Sequence, residues 1–453
     1  MNVFNGAFKE ITIFLQKNDK AKVREIFEEI HPYDQAQILM ELKPFERKKL
    51  ANFLSNEEMA EIIQQLDIEQ QKQIIDELGI ERYSQILVEM PSDDAADLLS
   101  ELDEEQQQEV LELIDDQEAA DMRELMEYPE NTAGGIMTTE YIVLPQYFTA
   151  DEAINKLRKI GPDAETVYYL YVTDEMDRLI GVLSLRDLII ANPQTKIQDI
   201  MYERVVSVPV TMDQEEVARI MEKYDFLAVP VVNKEKKLMG IITVDDAIDV
   251  LNDEASEDIA RFGGIVGREP GVLDLKVNAF EAARKRIPWL ILLLGVGVLA
   301  GNIIAQFEET LEAVVILAIF IPMIADMAGN TGTQSLAVVV RGLATGQFTK
   351  KDTFNLIKRE AGVGLIIGIT NGLLISIIAA LWQKSIALGF VIGVSLWVTL
   401  FFATLAGTII PLIMVRLKID PAVASGPFIT TVNDILGLTI YFTIATLFMS
   451  YLI

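Results

Sequence analysis

The spacing of apolar residues changes twice along the chain and divides it into three parts. Over residues 1–128 apolar side chains recur at helical spacing. Short segments such as 44–54 and 92–102 open on Pro or Ser followed by acidic residues, as helix N-termini do. We expect these helices to stack as a small superhelix. From about residue 132 short β-branched runs alternate with helical segments, and from residue 284 long uncharged stretches dominate.

The third part predicts five membrane-spanning helices. Residues 287–307, 361–383 and 385–415 contain 21, 23 and 31 consecutive residues without a charge. A helix needs about 20 apolar residues to cross the hydrocarbon core, so each of these stretches is long enough. Two further apolar stretches are each interrupted by one internal aspartate. The five predicted spans are centred near residues 297, 328, 372, 401 and 439.

The basic residues predict how these helices are oriented. Lys and Arg cluster before the first span and in the second and fourth connections, whereas the first connection is acidic and the third holds only Lys384. By the positive-inside rule, the N-terminal part is cytoplasmic and the C-terminus lies outside. The opening residues show no signal-peptide pattern. We therefore expect a multi-pass protein of the plasma membrane, embedded in lipid.

Charge is distributed unevenly between the predicted cytoplasmic and membrane parts. The net charge is −30, yet residues from 284 onward carry 11 Lys and Arg against 8 Asp and Glu, so the first 283 residues carry 27 against 60. Such an acidic part attracts cations and repels nucleic acid, so we expect no nucleic-acid partner. Cysteine is absent and His31 is the only histidine. With no nucleophile–base pair, no metal triad and no Gly-rich phosphate loop, the sequence does not predict an enzyme.

The middle part contains an internal duplication. The Ile-Met dipeptide at 136–137 and the proline at 145 both recur 64 residues later, and the similar motifs GVLSLRD and GIITVDD close the two copies at 181–187 and 240–246. These copies resemble a pair of cystathionine-beta-synthase (CBS) domains. The resemblance implies that the Ser or Thr and the Asp of each motif would contact an adenosine nucleotide such as ATP. Those residues are Ser184 and Asp187, and Thr243 and Asp246. Many CBS pairs bind no ligand, so a purely structural role stays equally open.

An acidic helix is predicted between the duplication and the first span. Its apolar positions form one stripe of Ile248, Leu251, Ala255 and Ile259. We expect this helix to end at the two glycines 263–264. Asp249, Asp253 and Glu257 follow one another at a spacing of four residues, which is unfavourable for like charges unless a cation intervenes. Here we favour cation binding over a merely solvated surface, whereas for the acidic faces of the N-terminal helices we favour the solvated surface.

Polar residues lie at membrane depth in the second and fifth predicted spans. They are Asp326, Asn330, Thr331, Thr333 and Gln334 in the second span, and Thr430, Thr431, Asn433 and Asp434 in the fifth. An aspartate at the centre of such a helix costs about 2.5–3.5 kcal/mol, and no Lys or Arg lies in the apolar runs to pair with it. Asp434 must be protonated, face water or hold a cation, and hydrated Mg²⁺ suits oxygen ligands. Asp326 is either a second cation site or a capped, protonated group.

The whole chain resembles the MgtE family of magnesium channels and transporters, in the order of its parts and in two motifs. The family's Pro…Gly-Asn-x-Gly…Gln pattern falls on residues 322–334, and its Asp-Pro-Ala…Pro…Asp pattern falls on residues 420–434. Ala328 and Thr333 replace a Gly and an Asn that many relatives carry, and Gly426 stands where some relatives have an Asn. No side-chain ligand is therefore assigned at Gly426.

The resemblance implies a homodimer with a central pore lined by the second and fifth spans. Cytosolic Mg²⁺ would bind between acidic faces and favour the closed state. The family's pore aspartate falls on Asp434, and Asn330, Thr430, Thr431 and Asp326 are the other candidate pore ligands. The sensing acids matched to the family are Asp213, Glu215, Asp225, Asp246, Asp249, Glu254, Glu257 and Asp258, with Asp93, Asp94 and Asp97 as weaker candidates.

The predicted architecture has four parts. They are an all-α helical-repeat domain (1–130), an α/β CBS pair (131–249), an acidic connecting or plug helix (250–275) and an all-α membrane domain of five helices (276–453), assembled as a homodimer. The predicted function is a Mg²⁺-selective channel or transporter that closes at high cytosolic Mg²⁺. Alternatives are a CBS-regulated transporter of Mn²⁺ or Co²⁺, a carrier of a non-cation solute, and a membrane-anchored sensor. The acidic cytoplasmic part weighs against an anion path, and the unpaired Asp434 weighs against a sensor without transport.

Overall fold

The computed structural model describes residues 2–100, 102–161, 164–265, 278–344 and 352–453. The chain divides into two compact units, Met1–Leu251 and Asn252–Ile453. Residues 266–275 of the predicted connecting segment and residues 345–351 of the basic second connection lie outside the described residues.

The first unit begins with a stack of short helices, as the sequence predicts. Its described helices up to residue 126 are α1 (Asn2–Lys17), α2 (Lys20–Phe27), α3 (Pro32–Glu41), α4 (Pro44–Ala51), α5 (Asn56–Gln64), α6 (Ile68–Leu78), α7 (Ile80–Leu87), α8 (Ser92–Ser100), α9 (Glu104–Leu113) and α10 (Asp116–Met126). Polar residues begin several of them: the side chains of Asp67 and Asp103 accept backbone N–H groups of α6 and α9, and Ser55 forms a capping box with Glu58.

The apolar stripes of these helices form one continuous core. Ile38, Leu50, Met59 and Ile62 are fully buried within it. One ion pair lies beside the core, because the Arg47 guanidinium donates to both carboxylate oxygens of Glu77 at 2.8 and 2.7 Å. Arg47 is 4% exposed, so this charge depends on its partner rather than on water.

The two copies of the duplication form two small sheets of the same topology. The first copy comprises β1 (Val143–Pro145), α11 (Ala150–Ile160), β2 (Tyr169–Thr173), β3 (Leu179–Ser184) and α12 (Leu185–Ile190); the second comprises β4 (Val208–Pro209), α13 (Gln214–Tyr224), β5 (Ala228–Val232) and β6 (Leu238–Thr243). In each sheet the first strand runs parallel to the middle strand, and the third runs antiparallel to it. This repetition is consistent with the predicted pair of like domains.

Each copy also contributes a segment to the other. Thr138, which precedes the first sheet, pairs with Ile241 of β6, and Tyr202, 64 residues later, pairs with Val182 of β3. A Cβ atom at Gly240 would lie 2.8 Å from the Sδ atom of Met137. Glycine therefore allows the close approach that this exchange of segments requires.

The acidic helix predicted after the duplication is α14 (Val244–Phe262). It ends before Gly263 as expected, and Gly264 adopts a positive φ of 73°. Two residues of the predicted apolar stripe, Ile248 and Ile259, are 53% and 66% exposed. The buried positions are instead Ala247, Val250 and Ala260.

The second unit contains five helices long and apolar enough to cross a membrane among the residues described, which confirms the five predicted spans. Its helices after α14 are α15 (Ala279–Gln306), α16 (Glu308–Ala313), α17 (Ile321–Ala344), α18 (Thr353–Gln383), α19 (Ile386–Arg416), α20 (Gly426–Leu447) and α21 (Met449–Leu452). Short 3₁₀ turns at Val315–Phe320 and Pro421–Val423 precede α17 and α20.

Small residues let the membrane helices approach closely. Gly364, Gly368 and Gly372 repeat along α18 and face α19, where a Cβ atom at Gly372 would lie 2.6 Å from the carbonyl oxygen of Gly393. The last turn of α14 also belongs to this unit. There Arg261 forms ion pairs with Glu257 and Asp420, and Phe262 packs in a cluster with Leu336, Val340, Ala424 and Ile429.

Candidate functional site

One face of α17 carries polar side chains that are exposed in the protomer. Asp326, Asn330 and Gln334 follow one another at a spacing of four residues, so they share this face. All three are exposed. Hydrocarbon cannot satisfy exposed carboxylate and amide groups, so water or another polar surface must cover them. This face of α17 therefore indicates a water-lined surface.

Asp434 lies on α20, which packs against α17. Its side chain is half-buried and makes no hydrogen bond or ion pair with any described residue. A Cβ atom at Gly437, three residues after Asp434, would lie 3.4 Å from Ala328 Cβ and 3.8 Å from Ile324 Cγ2, and these two residues of α17 flank Asp326. The structure therefore brings the two intramembrane aspartates near each other, although they are 108 residues apart in sequence. Two neighbouring carboxylates without a basic partner form an acidic site inside the membrane unit.

The threonines beside Asp434, Thr430 and Thr431, form different hydrogen bonds and so leave different atoms available to a ligand. The hydroxyls of Thr430 and Thr333 lie 3.3 Å apart and share a hydrogen bond between α20 and α17. The Thr431 hydroxyl donates to the carbonyl of Pro427 at 2.8 Å. Thr431 therefore uses its proton within its own helix, and only its oxygen lone pairs stay available to a ligand.

Backbone contact sets the register of the helices that carry these groups. A Cβ atom at Gly329 would lie 2.6 Å from Thr430 Cγ2, and one at Gly332 would overlap the side chain of Asn433. Gly407 of α19 touches the carbonyl of Gly332 from the other side. Asn433 itself is fully buried, and neither of its amide atoms has a hydrogen-bond partner among the described residues.

A second acidic group forms in the first unit, where the start of α8 meets the start of α14. Ala96 of α8 shares a core with Ala247 and Val250 of α14, which brings Asp93 and Asp94 close to the acids of α14. Burial raises the pKa of Asp93 well above its ordinary value, and the charges of Asp94 and Asp246 raise it further. The Asp93 Oδ1 atom is inaccessible to solvent and accepts no hydrogen bond.

Other carboxylates of this group are also destabilised in their charged form. Burial raises the pKa of Asp246 to about 6, and the charges of Asp245 and Asp94 contribute, while hydrogen bonds from Thr243 oppose the rise. Burial likewise raises the pKa of Asp94 and of Asp249. These acids therefore repel one another at neutral pH, and bound protons or cations would relieve the repulsion.

Sequence reasoning missed three members of this group, Asp245, Glu140 and Glu165. Burial raises the pKa of Glu165 to about 7, and the charges of Glu140 and Asp245 add to this rise. The Glu165 N–H donates to the carbonyl of Glu140 at 2.9 Å, and the N–H of Ser92 donates to Glu140 Oε1 at 3.1 Å. Neither glutamate belongs to a motif or an acidic run, so no sequence signal points to it.

The remaining predicted sensing acids lie elsewhere. Asp213 caps the N-terminus of α13 by accepting the Glu215 N–H at 3.0 Å, Glu215 pairs with Arg219, and Asp225 caps the other end in a left-handed conformation. Asp97 is exposed on α8. Glu254, Glu257 and Asp258 are half-buried on the part of α14 that belongs to the second unit.

No three Asp, Glu or His side chains of the described residues are arranged so that they could hold one metal ion directly. A divalent cation at these acids would therefore keep part of its water shell, or the carboxylates would move towards it. Mg²⁺ suits the first arrangement because it gives up its waters reluctantly.

The predicted nucleotide residues form the same local pair in both copies. The Ser184 hydroxyl donates to Asp187 Oδ2 at 2.7 Å, and the Thr243 hydroxyl donates to Asp246 Oδ2 at 2.5 Å. Each pair closes the first turn of a helix, α12 or α14. These contacts account for the residues structurally and leave nucleotide binding open.

Comparison with known proteins agrees with this arrangement. The family described as divalent cation transporter, MgtE, matches residues 321–444, the MgtE intracellular N domain matches residues 30–131, and the CBS domain matches residues 133–193 and 197–253. The magnesium transporter MgtE of Bacillus subtilis is 50% identical over 324 residues, which are 72% of this chain and 71% of that protein. The chain belongs to the MgtE family.

Other MgtE proteins and solved structures are also similar. The magnesium transporter MgtE of Thermus thermophilus is 42% identical over 71% of both chains. A crystal structure of the soluble part of a magnesium transporter is 40% identical, with a TM-score of 0.54, over 56% of this chain and 99% of that one. The cytosolic domain of the Mg²⁺ channel MgtE in complex with ATP is 42% identical, with a TM-score of 0.52, over 54% of this chain and 99% of that one.

These similarities confirm the predicted MgtE resemblance, including the helical N-terminal domain and the CBS pair. Three of the similar curated proteins, 42–50% identical to this chain, are named magnesium transporters. The roles of the individual acids, the dimer, the gate and the side on which the C-terminus lies stay predictions.

Proposed function

We propose that this protein is a Mg²⁺-selective channel or transporter of the plasma membrane, that it works as a homodimer, and that cytosolic Mg²⁺ closes it. The observation that carries the proposal is the unpaired Asp434 beside the exposed polar face of α17. The chain belongs to the MgtE family, and similar proteins of this family are magnesium transporters. This supports Mg²⁺ as the transported ion. Mn²⁺ and Co²⁺ are the alternative cations.

The exposed polar face of α17 supports the proposal of a second copy. In a homodimer, α17 and α20 of both protomers would enclose a water-lined path, and one Asp434 from each would face it. Two carboxylates balance the charge of one divalent cation. Because Mg²⁺ keeps several of its waters, Asn330, Thr430 and the Thr431 oxygen would contact the ion through its water shell.

The acidic group of the first unit would sense cytosolic Mg²⁺. Asp93, Asp94, Asp246 and Asp249 repel one another there, so a divalent cation between them would stabilise the closed arrangement. The other matched acids would hold further cations; these are Asp97, Asp213, Glu215, Asp225, Glu254, Glu257 and Asp258. When cytosolic Mg²⁺ falls, the repulsion would favour separation and opening.

Helix α14 would carry this signal, because it begins in the first unit and ends in the second. At its end, Arg261 is paired with Asp420, which lies just before the 3₁₀ turn that leads into α20. A shift of α14 would therefore act on the helix that carries Asp434. In the proposed orientation the N-terminal part is cytoplasmic and the C-terminus lies outside.

We expect ATP to bind at the CBS pair, because the cytosolic domain of a similar MgtE channel has been solved with ATP. Ser184, Asp187, Thr243 and Asp246 are the candidate contacts. ATP should raise the melting temperature of the wild-type protein in detergent and have less effect on Asp187→Ala. An equal rise in both proteins would exclude this site.

The pore proposal is tested by Mg²⁺ uptake into proteoliposomes that contain a Mg²⁺-sensitive dye. With little internal Mg²⁺, wild-type protein should take up Mg²⁺, and millimolar internal Mg²⁺ should stop the uptake. Asp434→Asn should abolish uptake, whereas Thr439→Val, an exposed polar residue on the same helix, should not. Undiminished uptake by correctly inserted Asp434→Asn would refute the pore role.

A further inference from the structure

We infer that Asp326 forms a second acidic subsite of the cation pathway, which holds a hydrated divalent cation next to Asp434. The inference rests on the proposed function, and it gives a role to an acid that neither the MgtE motif nor the sensing model uses. Asp326 lies on α17, one turn before Asn330 of the motif. It would determine how well the path captures its ion, while Asp434 would be required for passage.

Among the residues that the structure describes, no basic side chain pairs with Asp326. It is exposed and makes no hydrogen bond or ion pair within the described part of the chain. The next basic residue along α17 is Arg341, fifteen residues later, which is roughly 22 Å along a helix. An intramembrane carboxylate without a basic partner marks an ion path or a water-filled cavity.

The alternative of a capped carboxyl does not fit the position. α17 begins at Ile321, so Asp326 lies beyond the first turn, where backbone N–H groups are free to cap a side chain. The backbone N–H groups around Asp326 are used inside the helix, and no hydroxyl or amide side chain donates to it in the described residues. Asp326 is therefore available to a ligand.

The residues around Asp326 indicate that its ligand is a cation. The turn of α17 that carries Asp326 packs against the turn of α20 that follows Asp434, and Asn330 and Gln334 continue the same exposed face. Neighbouring like charges are unfavourable unless a cation lies between or beside them. One carboxylate from each of the two helices gives two adjacent sites for hydrated divalent ions. Adjacent sites let an entering ion displace the one ahead of it, which combines capture with release.

The two aspartates should therefore differ in kinetic effect. Asp326→Asn keeps the shape of the side chain and removes one charge. We expect the external Mg²⁺ concentration at half-maximal uptake to rise about tenfold, the order of effect of one carboxylate on a nearby divalent ion in a solvated site. Maximal uptake should be retained. Asp326→Glu should restore the wild-type value, and Glu309→Gln, an exposed acid on α16, should leave it unchanged.

A second experiment varies the charge at position 326 within one folded protein. The chain contains no cysteine, so Asp326→Cys introduces a single reactive thiol. Uptake at low external Mg²⁺ is measured before and after treatment with a negatively charged or a positively charged methanethiosulfonate. The negative group should increase uptake towards the wild-type rate, and the positive group should lower it further. External Mg²⁺ should slow both reactions at this thiol.

The possible results separate the two proposals. An unchanged half-saturating concentration in Asp326→Asn, or equal effects of the two reagents, overturns the Asp326 subsite while leaving the Asp434 pore intact. Continued uptake by Asp434→Asn overturns the proposed pore itself. A tenfold rise in Asp326→Asn together with opposite effects of the two reagents supports the subsite.

Discussion

Neutralising Asp246 should stabilise the first unit when Mg²⁺ is absent. Asp246 begins α14 near Asp93 and Asp94, and Thr243 donates a hydrogen bond to its carboxylate. Asp246→Asn removes the charge but keeps an oxygen that can accept this hydrogen bond. The variant therefore tests whether mutual repulsion of these acids, relieved by a cation, controls the unit.

The magnitude follows from the pKa of Asp246, which burial, with the charges of Asp245 and Asp94, raises from 3.8 to about 6. One pKa unit corresponds to about 1.4 kcal/mol, so the ionised carboxylate lowers the free energy of unfolding by roughly 3 kcal/mol. Because the folded-state pKa is raised, this penalty is complete above about pH 6 and disappears as the pH falls towards 3.8. Without Mg²⁺, the wild-type unit should therefore become more stable on acidification from about pH 8 to pH 5.

Hydrogen exchange of the full-length protein, followed by mass spectrometry, measures this locally. Peptides from α8 and from the start of α14 report the free energy of opening at pH 8 with and without Mg²⁺. Asp246→Asn should raise this free energy by about 1–3 kcal/mol without Mg²⁺ and should reduce the further gain from Mg²⁺. Glu216→Gln, an exposed acid on α13, is the matched control and should change neither value.

Two results would refute the reasoning. The first is a lower free energy of opening in Asp246→Asn at pH 8 without Mg²⁺, which would mean that the ionised carboxylate is stabilising. The second is a wild-type protein whose α8 and α14 peptides exchange equally fast with and without Mg²⁺.

Further predictions concern packing in each unit. Gly332→Leu should abolish Mg²⁺ uptake, because a side chain there overlaps Asn433. Gly295→Leu on α15 should be tolerated, because a Cβ atom there meets nothing within 4 Å. Equal uptake by both variants in proteoliposomes would contradict the packing argument. Glu77→Ala should destabilise the first unit by about 3 kcal/mol in urea unfolding followed by circular dichroism, because it leaves the buried Arg47 charge unpaired. Glu81→Ala, at an exposed acid on the next helix, α7, is its control, and an equal loss in both variants would rule out the ion-pair explanation.

Much of the fold could be predicted because its signals are local. Uncharged stretches long enough to cross the hydrocarbon core form the helices α15, α18 and α19, whatever they pack against. The Gly that opens each CBS motif and the Ile-Met that opens each copy are also visible in sequence, and the structure places Met137 against Gly240 and Met201 against Gly181. The end of α14 was predictable for the same reason, since Gly263 and Gly264 follow it directly.

The predictions failed where burial depends on distant parts of the chain. The apolar spacing in α14 indicates a helix but not which side is covered, and Ile248 and Ile259 are exposed while Ala247 and Val250 are buried. Glu140 and Glu165 were missed because they lie in connections without a motif. They join the acidic group because the first CBS copy pairs with the second through Thr138 and Ile241, and because the Ser92 N–H of α8 donates to Glu140.

The sequence by itself determined the kinds of element, the number of membrane spans and the presence of two aspartates without a basic partner in their apolar runs. Only the tertiary structure decided that Asp326 and Asp434 lie near each other, and that Asp93 meets Asp246 from 153 residues away. Periodicity and hydropathy act within one segment, so they specify a helix and its length. Which charges meet depends on which surfaces pack together, and close contacts between distant segments, such as Gly332 with Asn433 and Ala96 with the core of the second CBS copy, set that packing.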